Sequence, residues 1–590
     1  MKLFTLNFLL VFVLSFACFA KDKKNEFNSL EMEVDENFLY LPINNDASYR
    51  DVKITTDDGN VIFNEAVMLC AGKAKWYAPV DVSKYKGKKI KVEYQGKNFI
   101  GEPIILLSSN VFSRDYSADV GRPKFHITAT NGVLGSSSGL FYYKGNYYAF
   151  ILQNPKLLTP DGSFHLALWK SSDMVNWYVV ESTSFFQSLI TAPASVCVDN
   201  NNHSGFFDES GKGVIFACTN NQNQTFIAFA DNLTNIKYFN NASAVIEGEG
   251  KWPFIFFNED SKLWTIVRTE TSTDGKSKVA IYVSEDLKKW TYASDAFFDI
   301  GDTNVNLVKI DVLGAGNEQK WVMLTGNGRY IVGNFDGKKF VQLSKKPINF
   351  FNGSISYVQT WANMPNNQIL ASATIEQPLS IMMHVKQDFV NSLSTPWKLN
   401  LVRISDGQFQ LRASIADQIM EHVGVNTDAS GGGMIFNSNT FTIPDAYANY
   451  CVYDGTFEVD KTSAITIEIG VGVFGYSIQN NEFFMRRLTN ECGRWQVPVQ
   501  RSLMIIPYKA IVDSYSAEVA WMAGDSVLMM GDSFLNPQQT FKVGAVGVTR
   551  ILKLDIMPVF KNKVKDLREA TRLMYINSYK SSNHTDSKQK

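Results

Sequence analysis

Ser172-Asp173-Met174-Val175-Asn176-Trp177 returns as Glu285-Asp286-Leu287-Lys288-Lys289-Trp290, with weaker echoes at Asp231-Asn232-Leu233-Thr234-Asn235-Ile236 and Phe335-Asp336-Gly337-Lys338-Lys339-Phe340. The polar anchors Asp173, Asn232, Asp286 and Asp336 stand 59, 54 and 50 residues apart. A four-stranded antiparallel sheet with its turns uses about that many residues. A short turn motif recurring between apolar runs at this period is therefore the mark that the blades of a β-propeller leave in a sequence.

Outward from the repeats, both flanks also read as β structure. Toward the N-terminus, Phe38-Leu39-Tyr40-Leu41, Val61-Ile62-Phe63 and Ile90-Lys91-Val92-Glu93-Tyr94 alternate with turn clusters such as Asp57-Asp58-Gly59-Asn60, the pattern of a small β-sandwich. Toward the C-terminus, Ala464-Ile465-Thr466-Ile467-Glu468-Ile469 and Ala545-Val546-Gly547-Val548 predict a second sandwich. Between propeller and second sandwich, Arg412-Ala413-Ser414-Ile415-Ala416-Asp417-Gln418-Ile419-Met420 is compatible with a helix, and Gly431-Gly432-Gly433 breaks it.

The expected order is a leader over 1–20, an N-terminal β-sandwich over 25–108, a propeller over 118–396, a linker over 397–425, a C-terminal β-sandwich over 426–560 and a frayed tail over 561–590. The fold class is all-β.

Composition agrees. Phe, Tyr and Trp make up 13% of the 590 residues and charged residues only 19%, which favours short strands and tight turns over long solvated helices. Lysine plus arginine (57) nearly cancels aspartate plus glutamate (58), and no basic stripe interleaves with aromatics, so no electrostatic pull toward nucleic acid is expected. Gly431-Gly432-Gly433 lacks the Lys-Ser/Thr of a phosphate loop, and no cysteine pair has metal-ligand spacing, so neither a cofactor nor a metal is expected.

Lys2 followed by the apolar run Phe4–Phe19, with small residues at Cys18 and Ala20, has the pattern of an export signal. The run is short for a bilayer span and Lys21-Asp22-Lys23-Lys24 follows at once, which argues against a membrane anchor. Ser15-Phe16-Ala17-Cys18 resembles a bacterial lipoprotein cleavage site with its usual Leu displaced to Leu14, leaving attachment through a lipid on Cys18 open. Beyond the leader, Cys70, Cys197, Cys218, Cys451 and Cys492 form an odd, sparse set that reads as buried free thiols. Cys197 and Cys218 could pair if their strands set them opposite.

Arg122-Pro123-Lys124-Phe125-His126, Gly139-Leu140-Phe141-Tyr142-Tyr143, Gln153-Asn154-Pro155 and Ser172-Asp173-Met174-Val175-Asn176-Trp177 together resemble the start of the glycoside hydrolase family 32 propeller in order and spacing. Asn334-Phe335-Asp336-Gly337-Lys338-Lys339-Phe340 is similar to the family's fourth-blade turn, and Val512-Asp513-Ser514-Tyr515-Ser516-Ala517-Glu518-Val519 to the signature strand of its C-terminal sandwich. The likeness spans about residues 120 to 555. Leu41-Pro42 and a lone sandwich ahead of the propeller resemble the extra N-terminal domain of some Bacteroidetes levanases. The resemblance implies a five-bladed propeller whose axial funnel holds three carboxylates: a nucleophile, a general acid/base and a third that grips sugar hydroxyls near the transition state.

None of the three stands at its expected place. The family's Trp-Met-Asn-Asp-Pro-Asn-Gly segment aligns with Val133-Leu134-Gly135-Ser136-Ser137-Ser138-Gly139, putting Ser136 at the nucleophile. Its Arg-Asp-Pro motif aligns with Lys251-Trp252-Pro253, putting Trp252, which accepts no hydrogen bond, at the stabilising carboxylate. Its Glu-Cys-Pro-Asp-Leu aligns with Thr303-Asn304-Val305-Asn306-Leu307, putting Thr303 at the acid/base. Leu166 replaces a pocket Trp, and Pro193-Ala194-Ser195 replaces Ser-Gly-Ser.

The sequence thus points to a carbohydrate-binding protein, fructan-type by resemblance, that has lost its catalytic groups. Ligand contacts are expected from Gln153, Asn154, Trp252 and Trp361, with Trp252 as a stacking platform. An active hydrolase rebuilt on Glu249 or Asp302 is the alternative, with a non-sugar surface scaffold as the third reading. His126 and His165, two of only six histidines, sit in β-runs and are expected to be structural.

Overall fold

The computed structural model describes residues 27–96, 99–109, 121–180, 192–208, 211–220, 222–233, 235–296, 300–301, 303–344, 346–378, 387–428, 435–437, 440–443, 450–487, 494–499, 504–532 and 541–560. The leader with Cys18, Asp302, Gly431–Gly433, Cys492 and the 561–590 tail lie outside these residues.

The chain divides into two units, 1–112 and 113–590. In the first, strands Phe27–Glu33, Lys89–Gln95, Arg50–Thr56 and Val61–Val67 form one sheet and Trp76–Asp81, Phe38–Ile43 and Leu106–Ser108 a second. Alternation in Arg50–Thr56 and Lys89–Gln95 buries Val52, Ile54, Ile90, Val92 and Tyr94, one residue in two, as a half-buried strand requires. This is the small β-sandwich read from the sequence.

The second unit begins with five blades. Blade 1 is built on Gly132–Tyr143, Asn146–Asn154, His165–Ser171 and Tyr178–Val180, and blade 2 on Ala192–Asp199, Gly213–Thr219, Thr225–Ala230 and Lys237–Tyr238. Blade 3 uses Gly250–Asn258, Leu263–Thr271, Ser277–Ser284 and Thr291–Ala296, and blade 4 Val305–Asp311, Gln319–Thr325, Arg329–Phe335 and Phe340–Gln342. Blade 5 uses Ile355–Ala362, Ile369–Ile375, Trp397–Ser405 and Gln408–Ile415.

The recurring sequence motif is the turn between third and fourth strands of blades 1 to 4. In blade 1, Asp173 Oδ1 accepts the backbone N–H groups of Val175 (2.9 Å) and Asn176 (2.7 Å). Asp286 does the same for Lys288 and Lys289, and Asp336 for Lys338 and Lys339. The indole N–H of Trp177 donates to Met174 O and that of Trp290 to Leu287 O, both at 2.9 Å, so the two full-strength copies fold identically. The period is real because the carboxylate satisfies turn amides that strand pairing leaves over.

The ring closes between blades 5 and 1. Ser392–Leu393 bridges Ile369–Ile375 to Ile127–Thr128, and Gly132–Tyr143 pairs in parallel with Ile355–Ala362 and with Phe389–Val390. Between blades 1 and 2, Phe141, Phe150 and Phe216 pack in one buried cluster, each contributing on the order of 2 kcal/mol by burial.

One boundary differs from expectation. Residues 397–415, assigned above to a linker, are the outer strands of blade 5, paired from Trp397↔Ile415 to Ser405↔Gln408. Trp397, Leu399 and Leu401 are buried while Lys398 and Asn400 are not, a period of two that overrides the local helix propensity. The only helix there is Asp417–Met420.

The C-terminal domain is organised by two long antiparallel strands, Cys451–Ile469 and Phe541–Pro558. The first half of Cys451–Ile469 pairs with Ile505–Asp513 and the second half with Gly472–Ser477, so one strand serves both layers. Tyr453, Phe474, Tyr476, Phe483, Trp521 and Phe541 fill the core between them.

Cys197 faces Ile215 across its ladder and Cys218 faces Phe226 across the next, so the two are not set opposite each other and both are free thiols.

Candidate functional site

A single pocket receives residues from the innermost strand of every blade, or from the segment leading into it: Ser137, Ser195, Trp252 to Phe254, Asn304 to Asn306, and Gln359. It encloses about 240 Å³, open solvent at the mouth included. The three segments where catalytic carboxylates were expected therefore do converge on one place.

The ladders slip where the inner strands reach this pocket. Register breaks fall between Phe150 and Gln153 opposite the blade 1 serines, between Ala192 and Ser195, between Lys251 and Phe254, and between Ser356 and Gln359. Such bulges re-aim side chains that strict alternation would bury in the sheet, and they recur beside binding sites. Trp252 sits in one of them with φ of 51°, a backbone region that a bulky residue occupies only when its surroundings hold it there. Its indole is half-buried, and Lys251 Nζ lies 5.4 Å from the ring centroid.

The described lining is neutral. Asn306 is committed to the fold: its Nδ2 donates to Val358 O (3.0 Å) and Leu324 O (3.2 Å), and its Oδ1 accepts from Thr360 N (3.1 Å). Ser195 Oγ accepts the Ile255 N–H at 2.8 Å, tying blade 2 to blade 3. Asn304 Nδ2 donates to Val358 O at 2.9 Å. No carboxylate, and no other charged side chain, is among the described residues that line the pocket.

The residues singled out from the sequence separate into two groups. Trp252 lines the pocket; Ser136 and Thr303 do not, their neighbours Ser137 and Asn304 being there instead. Ser136 is buried, and the Thr303 carbonyl accepts from Thr269 Oγ1 at 2.7 Å. Glu249 is exposed in the turn ahead of blade 3 and does not line the pocket. Glu270, the half-buried carboxylate opposite Gly250, is held by Arg268 (2.7 Å), Tyr282 (2.8 Å) and Lys278 (3.4 Å).

The other expected ligand contacts lie outside the lining of this pocket. Trp361 lies in the core, 3% exposed, with its N–H on Ser372 Oγ at 3.1 Å and its ring 6.0 Å from that of Trp177, so it presents no face to the funnel. Asn154 is fully buried and spends its amide within its own turn, on Asp161 O (2.7 Å) and Lys156 N (3.1 Å). Gln153 Nε2 donates to His165 Nε2 at 2.9 Å, outside the pocket lining. Burial, with the charge of Lys156 added, holds His165 down to about 3, so it stays neutral and accepts that bond.

Ser137, Asn304 and Gln359 were not picked out as ligand contacts from the sequence. The bulges that aim two of them inward leave no residue-type signature, though Gln359 stands in the segment that drew attention to Trp361.

Residues 126–412 match the family model for the Glycosyl hydrolases family 32 N-terminal domain. This region is that of a glycoside hydrolase family 32 N-terminal domain. The chain is 30% identical over 263 residues to a levanase of Bacillus subtilis (strain 168), covering 39% of this chain and 36% of that protein. It is 27% identical over 276 residues to an invertase of Wickerhamomyces anomalus, covering 40% and 49%. The match thus spans half or less of the length of these relatives. Among solved structures, an exo-inulinase from Aspergillus awamori shares the fold with a TM-score of 0.63 at 17% identity, over 75% of this chain and 98% of that one. At that identity the likeness is one of fold.

Proposed function

We propose that this family 32 protein binds carbohydrate in its axial pocket without hydrolysing it, and that the ligand is of the fructan type. The observation that carries the reading is the neutral lining. A retaining glycosidase needs two carboxyl groups roughly 5 Å apart, one to attack the anomeric carbon and one to protonate the leaving oxygen. The pocket offers hydroxyls, amides and an indole in their place. Those groups suit a polyol, whose hydroxyls both donate and accept and whose ring C–H face packs on an aromatic platform such as Trp252.

Levanase and exo-inulinase, the names of two relatives, make levan and inulin the first ligands to try. The leader pattern of residues 1–20 adds export to the proposal, with lipid on Cys18 as a variant of it; mass spectrometry of the mature N-terminus distinguishes them.

The test is calorimetric titration of the mature protein with levan, inulin and unrelated glycans, with released sugar assayed in the same mixtures. Binding without release is the expected result. Release that disappears in Glu249→Gln or Asp302→Asn would instead establish an active hydrolase with displaced carboxylates. Neither binding nor release would favour a scaffold role.

A further inference from the structure

Two buried polar atoms at the pocket have no protein partner among the described residues: the Ser137 hydroxyl and the Asn304 amide oxygen. Ser137 is only 3% exposed, and a buried hydroxyl left unpaired costs on the order of 1–3 kcal/mol, so such a group persists where something else supplies its bond. Asn304 is fixed at its other end, through Nδ2 on Val358 O, so its oxygen cannot turn away to find a partner.

The surrounding structure accommodates that oxygen. A Cβ built on Gly326 would lie 1.7 Å from Asn304 Oδ1 and 2.5 Å from Thr303 Oγ1. The glycine is not needed for its backbone angles, since its φ lies outside the left-handed region. It is needed for the close approach of the amide, and its own N–H donates to Asn304 O at 2.7 Å.

We infer that Ser137 and Asn304, each one residue along from a substituted catalytic position, are the hydrogen-bonding pair of the pocket, holding a hydroxyl of a neutral polyol ligand between a donor and an acceptor. This rests on the carbohydrate reading above. In the family alignment these two positions are a proline and a cysteine, so the pair belongs to this chain's own residues and is not a remnant of the catalytic set. With no ionisable group in the pair, the ligand it selects is uncharged.

The experiment is calorimetric titration of the full mature chain with fructose, levan and inulin, using wild type and Ser137→Ala, Asn304→Ala, Gly326→Ala, Ser136→Ala and Thr303→Ala, with thermal unfolding as the folding check. Ser137→Ala, Asn304→Ala and Gly326→Ala are each expected to weaken binding by about fivefold or more, with Ser136→Ala and Thr303→Ala changing it by less than about twofold. Gly326→Ala keeps every pocket side chain and only displaces the amide, so it carries the test if Asn304→Ala unfolds.

Full affinity in Ser137→Ala together with full affinity in Asn304→Ala or Gly326→Ala, or equal losses in Ser136→Ala and Thr303→Ala, overturns the pair and leaves water as the partner of both atoms, while the carbohydrate reading stands. A wild type that binds none of the three sugars overturns the carbohydrate reading and the pair with it.

Discussion

His126 Nε2 lies 2.7 Å from Glu518 Oε1, joining the segment that enters the propeller to the C-terminal sandwich through a wholly buried ion pair. The other ring nitrogen, Nδ1, is 2.9 Å from Asp513 Oδ2, and Ser516 Oγ is 3.1 Å from Nε2. Asp513 also accepts from Lys124 N and Phe125 N, while Glu518 accepts from Thr395 N (3.0 Å) and Trp397 Nε1 (2.6 Å). Two adjacent sandwich strands, Ile505–Asp513 and Ser516–Trp521, therefore hold both the segment that enters the propeller and the one that returns to complete blade 5.

Burial alone would push the His126 pKa down, but the hydrogen bonds and charges of Asp513 and Glu518 outweigh it and hold the imidazolium up to about 9, from an ordinary 6.5. A pKa raised in the folded state stabilises fully below the unfolded value, so this contribution, on the order of 3 kcal/mol, is whole below about pH 6.5 and is lost as pH rises through about 9. Thermal unfolding between pH 6 and 10 should show the melting temperature falling from about pH 6.5 to about pH 9 and levelling off above it. His126→Gln should flatten that decline and lower stability at pH 7 by about 3–5 kcal/mol, because it leaves two buried carboxylates without their cation. A wild-type melting temperature that does not change over this range would contradict the assignment.

Trp252→Asp restores one carboxylate to the pocket and is expected to yield no sugar release above background, because the retaining mechanism needs two. Trp252→Gly removes the left-handed strain and the stacking surface together. Binding should fall about tenfold while the melting temperature changes little, since about 1 kcal/mol of backbone relief offsets part of the lost packing. Undiminished sugar affinity in Trp252→Gly would show that the indole is a plug.

Asp173→Ala strips the blade 1 turn of the acceptor for two backbone amides and is expected to cost about 1–2 kcal/mol in urea unfolding. The same change at Asp336, in a more exposed turn, should cost less. Equal effects would mean that burial plays no part in these turns.

Burial pushes the Cys197 thiol up to about 12 and that of Cys218 up as well, so neither carries appreciable thiolate at neutral pH. Mass spectrometry after brief treatment of the native protein with iodoacetamide should find both unmodified and not cross-linked. Rapid labelling of either would be inconsistent with the packing of blade 2.

The sequence by itself determined the β class, the two flanking sandwiches and the propeller, because alternation of two and a turn motif near every ~fifty residues are local consequences of strand geometry. It also places Ser136, Trp252 and Thr303 where the family resemblance expects carboxylates. Trp397–Ile415, expected as part of a linker, instead pairs as the two outer strands of blade 5. Which side chains meet on the axis was decided only in three dimensions. Ser137 faces the pocket where Ser136 does not, and Gln359 does where Trp361 is core, because bulges in the inner strands shift the register by single residues. A one-residue slip exchanges the faces of a strand without leaving any trace in composition or periodicity.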